Sequence, residues 1–137
     1  MEVDTETGEV DILRYYAVHD SGKVIDPHNW EGQVHGGSVM GLGYGLYEEL
    51  VHKNGKILNP NLEGYYMPTS MDTPHEFVAI PVECRTADGP YGAKGIGEVP
   101  VASAAPAVVN AIYNAVGVRV KNLPATAEKI YLALKMR

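Results

Sequence analysis

The apolar positions change period several times along this sequence, and each change marks a different element. Val10, Ile12 and Val18, interleaved with Leu13, Tyr15 and Ala17, are apolar on both alternating faces, which predicts a largely buried β-strand. Ahead of it, Thr5-Glu6-Thr7-Gly8 separates two short β-prone stretches, so the strand reads as the second arm of a hairpin. Asp20-Ser21-Gly22 breaks the strand, and Asp26-Pro27 or Asn29 is placed to cap a helix running to about Glu49. That helix carries glycine at 32, 36, 37, 41, 43 and 45, and each costs roughly 1 kcal/mol relative to alanine in a helix interior. The four-residue spacings, 32 to 36 and 37 to 41 to 45, line small residues along a helix side. Either another helix packs there at close range, or a flat ligand lies against bare backbone. Spacing does not choose between them.

Further along, Lys53-Asn54-Gly55 contains the Asn-Gly pair of a tight hairpin turn. Asn59 to Pro74 has no periodicity and reads as an ordered surface or interface loop. Phe77 to Glu83 is β-like, with Pro81 pointing to an edge or a bulge. Thr86 to Pro100 is a long glycine-rich loop. From Val101 to Val116 the apolar residues at 104, 105, 108, 109, 112, 115 and 116 keep helical spacing, with Pro106 expected in the first turn and Gly117 as the stop. Thr126 is placed to cap a final helix bearing Ile130, Leu132, Ala133 and Leu134. No internal repeat interrupts this order, and the predicted class is α+β: short hairpins, a glycine-rich buried helix and two C-terminal helices in a single domain, 1–137.

Composition narrows the partners. Eleven Lys and Arg against seventeen Asp and Glu give a net charge of -6, with no basic stripe for nucleic acid. No uninterrupted apolar run approaches the roughly 20 residues of a bilayer span. Met1-Glu2-Val3-Asp4 has no signal-peptide character, so a cytoplasmic location is expected. One cysteine, Cys84, and five dispersed histidines supply neither a disulfide nor zinc-ligand spacing.

Candidate chemistry concentrates in Gly89-Pro90-Tyr91-Gly92-Ala93-Lys94-Gly95-Ile96-Gly97-Glu98-Val99-Pro100. It places one carboxylate at the end of a glycine-rich turn, just before a helix. A phosphate loop is excluded, since Lys94 follows Ala93 and no Ser or Thr comes after it. Two readings of Glu98 stand: a chemical group, or a helix N-terminal acid favoured by the dipole at about 0.3–1 kcal/mol. Asp20, Asp26, Asp72 and Asp88 lie beside turn formers, where Asp commonly bonds its own backbone.

The chain resembles the molybdenum hydroxylases: xanthine dehydrogenases, aldehyde oxidoreductases, aerobic carbon monoxide dehydrogenases and their relatives. Three segments carry the resemblance, in the family's order. They are Val3 to Val10 continuing to His19-Asp20-Ser21-Gly22-Lys23-Val24-Ile25-Asp26-Pro27, then Glu31-Gly32-Gln33-Val34-His35-Gly36-Gly37 with Gly41-Leu42-Gly43 and Leu46-Tyr47-Glu48-Glu49, then Gly92 to Glu98 followed by Pro106 to Ile112. The resemblance implies the last subdomain of the molybdopterin-binding (large) subunit. It makes Glu98 the active-site glutamate and Gln33 a hydrogen-bond partner of molybdopterin, and it lets Gly95 and Gly97 bring the backbone beside the cofactor. Met40 stands where many members have a second glutamine, and no contact is assigned to it. In the implied reaction Glu98 removes a proton from a molybdenum-bound hydroxyl, that oxygen attacks the substrate carbon, and hydride passes to a sulfido ligand. The pterin is expected with or without a cytosine dinucleotide, and iron-sulfur clusters and FAD are expected on partner chains or domains. Because the resemblance covers only the end of a much longer subunit, the chain is expected to be a split-gene subunit or a fragment, incomplete alone. The competing expectation is an orphaned, non-catalytic binding or structural module.

Overall fold

A computed structural model describes all 137 residues. The first hairpin forms as expected. Strand β1 (Glu2–Val3) pairs antiparallel with β2 (Val10–Asp11), and Asp4 closes the turn by accepting the Glu6 N–H at 2.7 Å. The second arm is not one continuous strand. After β2 the chain breaks at Ile12 and Leu13 and resumes as β3 (Arg14–Asp20). Strand β3 pairs in parallel with β6 (Glu76–Val82), in register from Arg14 opposite Glu76 to Asp20 opposite Val82. Nor is β3 buried on both faces: Tyr15 and Ala17 turn toward Trp30 and Val34, while Tyr16 and Val18 are 54% and 56% exposed. Pro81 lies within β6, which has β3 as its only strand neighbour. That leaves an open edge, where a proline without an N–H is tolerated.

Helix α1 (Pro27–Leu46) is capped by Asp26, whose carboxylate accepts the Asn29 N–H at 3.1 Å. It ends before Glu49, because the Tyr47 and Glu48 N–H groups both fold back on the Gly43 carbonyl. Helix α2 (Val99–Val116) starts two residues earlier than periodicity indicates, with Pro100 in its first turn. Pro106 therefore falls inside the helix. It sits on the exposed side, where the carbonyl one turn back can turn to water instead of the missing N–H. Gly117 terminates α2 in the left-handed conformation (φ 71°), its N–H reaching the Tyr113 carbonyl at 2.7 Å. Helix α3 (Ala127–Lys135) is capped by the Thr126 hydroxyl.

The two long helices pack along one glycine row. A Cβ on Gly37 would lie 3.0 Å from Pro100 Cβ, one on Gly41 2.7 Å from Ala104 Cβ, and one on Gly45 2.8 Å from a Val108 methyl. Leu42, Leu46, Ala104, Val108, Ile112 and Ile130 close the main core beside this contact. Gly32 and Gly36 have nothing within 4 Å of a would-be Cβ. Thus α1 is buried along one row and bare along the other. Helix α2 is long and apolar enough to match a membrane span by length and composition, a property the uninterrupted-run reading missed, although α1 covers its inner stripe.

Between the helices, β4 (His52–Lys53) and β5 (Lys56–Ile57) form the expected hairpin, with Asn54 and Gly55 at φ 51° and 76°. The stretch from 59 to 74 has neither helix nor strand. It is tied down by Asn59, which donates to the Glu49 carbonyl at 2.6 Å, and by the Tyr65 hydroxyl on Glu48 at 2.5 Å. The Glu48 carboxylate pushes the Tyr65 phenol up to about 12.

Gly41→Val should destabilise the fold by about 1–3 kcal/mol through overpacking. Gly36→Ala, on the bare row, should raise stability by up to about 1 kcal/mol. Denaturant unfolding of the two variants beside the parent measures both, and equal shifts would contradict the two-row packing.

Candidate functional site

The loop that carries Glu98 is built onto the exits of β3 and β6. Gly22 and Ala93 form an antiparallel bridge. The Lys23 N–H donates to the Gly92 carbonyl at 3.0 Å, and the Lys94 N–H to the Ser21 carbonyl at 2.8 Å. Ser21 is buried and its hydroxyl accepts the Trp30 indole N–H at 2.7 Å, which ties the same junction to α1. The Lys94 ammonium meets Asp20 Oδ2 at 2.6 Å, and Asp20 Oδ1 takes the N–H groups of Gly22 and Cys84 at 3.0 and 3.3 Å. The Lys94 ammonium foremost, and then the Gly22 N–H, hold the Asp20 carboxyl below its ordinary value. On the next inward position of β3, burial lowers His19 from the usual imidazole value, so the strand end is anionic at Asp20 and neutral at His19 near pH 7.

Beyond Lys94 the loop's own side-chain packing is limited to Ile96, which lies against the Ala17, Trp30 and Val34 cluster. Gly95 and Gly97 have nothing within 4 Å of a would-be Cβ. One side chain reaches across: Gln33 Nε2 of α1 donates to the Gly97 carbonyl at 2.6 Å. Glu98 follows at once, as the residue preceding α2, with φ -105° and ψ 0°. Its side chain is exposed and makes no cap to its own helix. The carboxylate therefore stands at the N-terminal end of α2, where free N–H groups and the dipole favour an anion, without being consumed by them.

Gln33 is thus brought beside the segment of Gly95, Gly97 and Glu98, more than 60 positions further along the chain. Around them the backbone of Gly32 and Gly36 on α1 is uncovered as well. A cavity of about 390 Å³ adjoins this surface, lined by Asn29, Trp30, Gln33, Lys94, Ile96 and Gly97. A larger hollow of about 1110 Å³, bounded by Met1, Val10, Tyr47 and Thr126 among others, contains none of the predicted site residues. Met40 lies on α1, 51% exposed. Sequence reasoning passed over Asp20 and Lys94; the turn formers beside Asp20 account for the Gly22 bond, and nothing local announces a partner 74 positions away.

Comparison with known proteins places this fold in a molybdopterin-binding class of protein. The molybdopterin cofactor-binding domain family matches residues 1–74. The putative xanthine dehydrogenase molybdenum-binding subunit of Escherichia coli (strain K12) is 42% identical over 133 residues, which are 96% of this chain and 18% of that protein. The 6-hydroxypseudooxynicotine dehydrogenase complex subunit gamma of Paenarthrobacter nicotinovorans is 34% identical over 134 residues, 96% of this chain and 17% of that one. Among solved structures, quinoline 2-oxidoreductase from Pseudomonas putida 86 superposes with a TM-score of 0.90 at 31% identity, covering 98% of this chain and 18% of the other. The aldehyde oxidoreductase from Desulfovibrio desulfuricans superposes with a TM-score of 0.87 at 34% identity, over 96% and 14% of the two chains. The chain belongs to the molybdopterin cofactor-binding domain family, and it spans less than a fifth of the length of these relatives.

The residues present fit such a cofactor. A pterin is flat and rich in donors and acceptors, and it needs backbone it can approach closely with side-chain amides at its edge. Bare glycine backbone on two segments, with the Gln33 amide between them using one N–H on Gly97, meets that need.

Because the native carboxyl of Asp20 is depressed, its bond to Lys94 contributes stability that is complete above the free carboxylate value of 3.8 and is lost as pH falls through the lower native value. A carboxylate-carbon NMR titration should place the Asp20 midpoint below 3.8, and Lys94→Met should move it upward. An Asp20 midpoint unaffected by loss of Lys94 would refute this pairing.

Proposed function

We propose that this chain is the glutamate-bearing part of a molybdenum-cofactor oxidoreductase that hydroxylates a heterocycle, an aldehyde or a similar carbon centre with water as the oxygen source. The observation that carries the reading is the Gln33 to Gly97 hydrogen bond, which sets a cofactor-type amide against the residue preceding a free carboxylate. In this reading molybdopterin, with or without a cytosine dinucleotide, supplies the redox centre that takes up the two electrons of the oxidation. Gln33 holds it through the remaining hydrogen-bonding capacity of its amide, and Gly32, Gly36, Gly95 and Gly97 let it lie close to backbone. Glu98 is the general base. Its carboxylate accepts the proton given up by the attacking water as the new carbon–oxygen bond replaces a carbon–hydrogen bond, whose hydrogen would leave with its electron pair to that redox centre; the proton transfer needs about 2.6–3.2 Å between the heavy atoms. The exposed position of Glu98 beside glycines allows that approach, and the α2 N-terminus offsets its charge in the deprotonated state.

Work within a longer protein is supported by the sheet. A two-stranded parallel pair with Tyr16, Val18, Ile80 and Val82 uncovered is not a finished unit, since parallel sheets are normally covered on both faces. The remainder of a molybdenum-binding subunit is the natural cover, with iron-sulfur and FAD chains receiving the electrons, and a cytoplasmic setting suits such an assembly.

Glu98→Gln in the assembled enzyme should lower kcat by roughly 10²–10⁴-fold with molybdenum content unchanged; turnover close to the parent's would remove Glu98 from the role of base. Gln33→Ala should instead lower the molybdopterin recovered per subunit, and full retention would contradict its part in binding. Native mass and metal analysis of the chain from its host address the whole reading, because a small metal-free species would leave only a detached structural module.

A further inference from the structure

We propose that Asp20 and Lys94 form a latch that sets where Glu98 stands, so that both act as positioning residues for the reaction. This inference rests on the reading of Glu98 as the base. Its grounds are the connectivity of the loop. From Lys94 to Val99 the chain runs Gly95, Ile96, Gly97, Glu98; the glycines are in open space and Ile96 alone packs inward, against Trp30 and its neighbours. It has four supports: α2 beyond Glu98, the Gln33 amide on the Gly97 carbonyl, Ile96 against the Ala17, Trp30 and Val34 cluster, and Lys94, the one that ties it to the end of β3. Lys94 is held at both ends, its N–H by the Ser21 carbonyl at 2.8 Å and its ammonium by Asp20 at 2.6 Å.

Asp20 is in turn shared by three segments. Its two oxygens receive Gly22 at the end of its own strand, Cys84 at the exit of β6, and Lys94 in the loop. Asp20→Asn keeps an oxygen for the Gly22 and Cys84 N–H groups and removes the charge that holds Lys94. A Lys–Asp pair with side chains 35% and 38% exposed contributes little to global stability, so its value lies in local geometry. Here that geometry is the registration of a four-residue glycine loop ending in the carboxylate. The ammonium is already committed to Asp20, which argues against a role for Lys94 as a free substrate anchor.

The experiment uses the assembled, molybdenum-containing enzyme with Asp20→Asn, Lys94→Met, the double variant and Lys94→Arg, with Glu98→Gln alongside. Each single neutralisation should lower kcat by on the order of 100-fold, the scale of an ångström-level misplacement, with KM and molybdenum content within about threefold of the parent. The double variant should be no worse than either single, since one interaction is lost, and Lys94→Arg should recover most of the rate. Amide exchange over residues 92–98 should speed up in the singles and stay slow in Lys94→Arg. Singles within twofold of parental kcat, multiplicative losses in the double, or activity falling only in step with molybdenum content would each overturn the latch. Failure of the underlying reading looks different: Glu98→Gln would keep its activity, and the exchange data would still report whether the pair holds the loop.

Discussion

Everything at this site depends on how closely α1 and α2 approach one another. At Gly41 and Gly45 there is no room for a Cβ, because the Val101 carbonyl, Ala104 and Val108 already occupy that space, and at Gly37 one would press on Pro100. Close contact at Gly37 fixes the first turn of α2, since Pro100 is its neighbour there, and Glu98 stands just two residues ahead of Pro100. Gln33 lies one turn before Gly37 on α1, within reach of the Gly97 carbonyl. The helix contact thus sets the distance between the amide and the carboxylate. A wider spacing between the helices would separate the two groups before any loop could adjust.

The ambiguity of the glycines in the sequence resolves into a division along one helix. Packing against α2 explains 37, 41 and 45, whereas 32 and 36 face open space, so helix packing accounts for one row and leaves the other bare. Gly32 and Gly36, two of the six glycines in α1, have no neighbour to offset a loss of roughly 1 kcal/mol each. The open row lies in the N-terminal half of α1 around Gln33, beside the loop glycines, whose backbone is open too.

Local signals served well where structure is local. Asp26 and Thr126 cap their helices, Gly117 stops α2, and Asn54-Gly55 turns the short hairpin, because each follows from a few adjacent residues. The parallel pairing of β3 with β6 was not legible. It joins segments about 60 residues apart, as the Tyr16 to Glu76 bond does, and alternation in one strand says nothing of its partner. The same limit misread β3 as buried on both faces: its apolar outer residues, Tyr16 and Val18, are exposed. Pro106 was placed in a first turn because proline is favoured there, yet Pro100 already occupied that position. Glu98 and Gln33 were singled out by resemblance; from the residues alone, Glu98 kept the alternative of a helix-end acid, and nothing joined it to Gln33.

Asp20 shows why the site is more than its two conspicuous residues. Beside Ser21 and Gly22 it behaves as turn chemistry requires, accepting the Gly22 N–H, and that local role is real. The second oxygen is what the sequence could not display, because its partner arrives from a loop that reaches β3 only after β6 has been laid beside it. The same parallel pairing that leaves an apolar face uncovered therefore also brings Cys84 and Lys94 to one carboxylate. Strand pairing positions the start of the glutamate loop, and glycine-backed helix packing positions its end. Between those two constraints lie only four residues, two of them glycine, so a segment with little backbone stiffness of its own is held from both sides, and its last residue is Glu98.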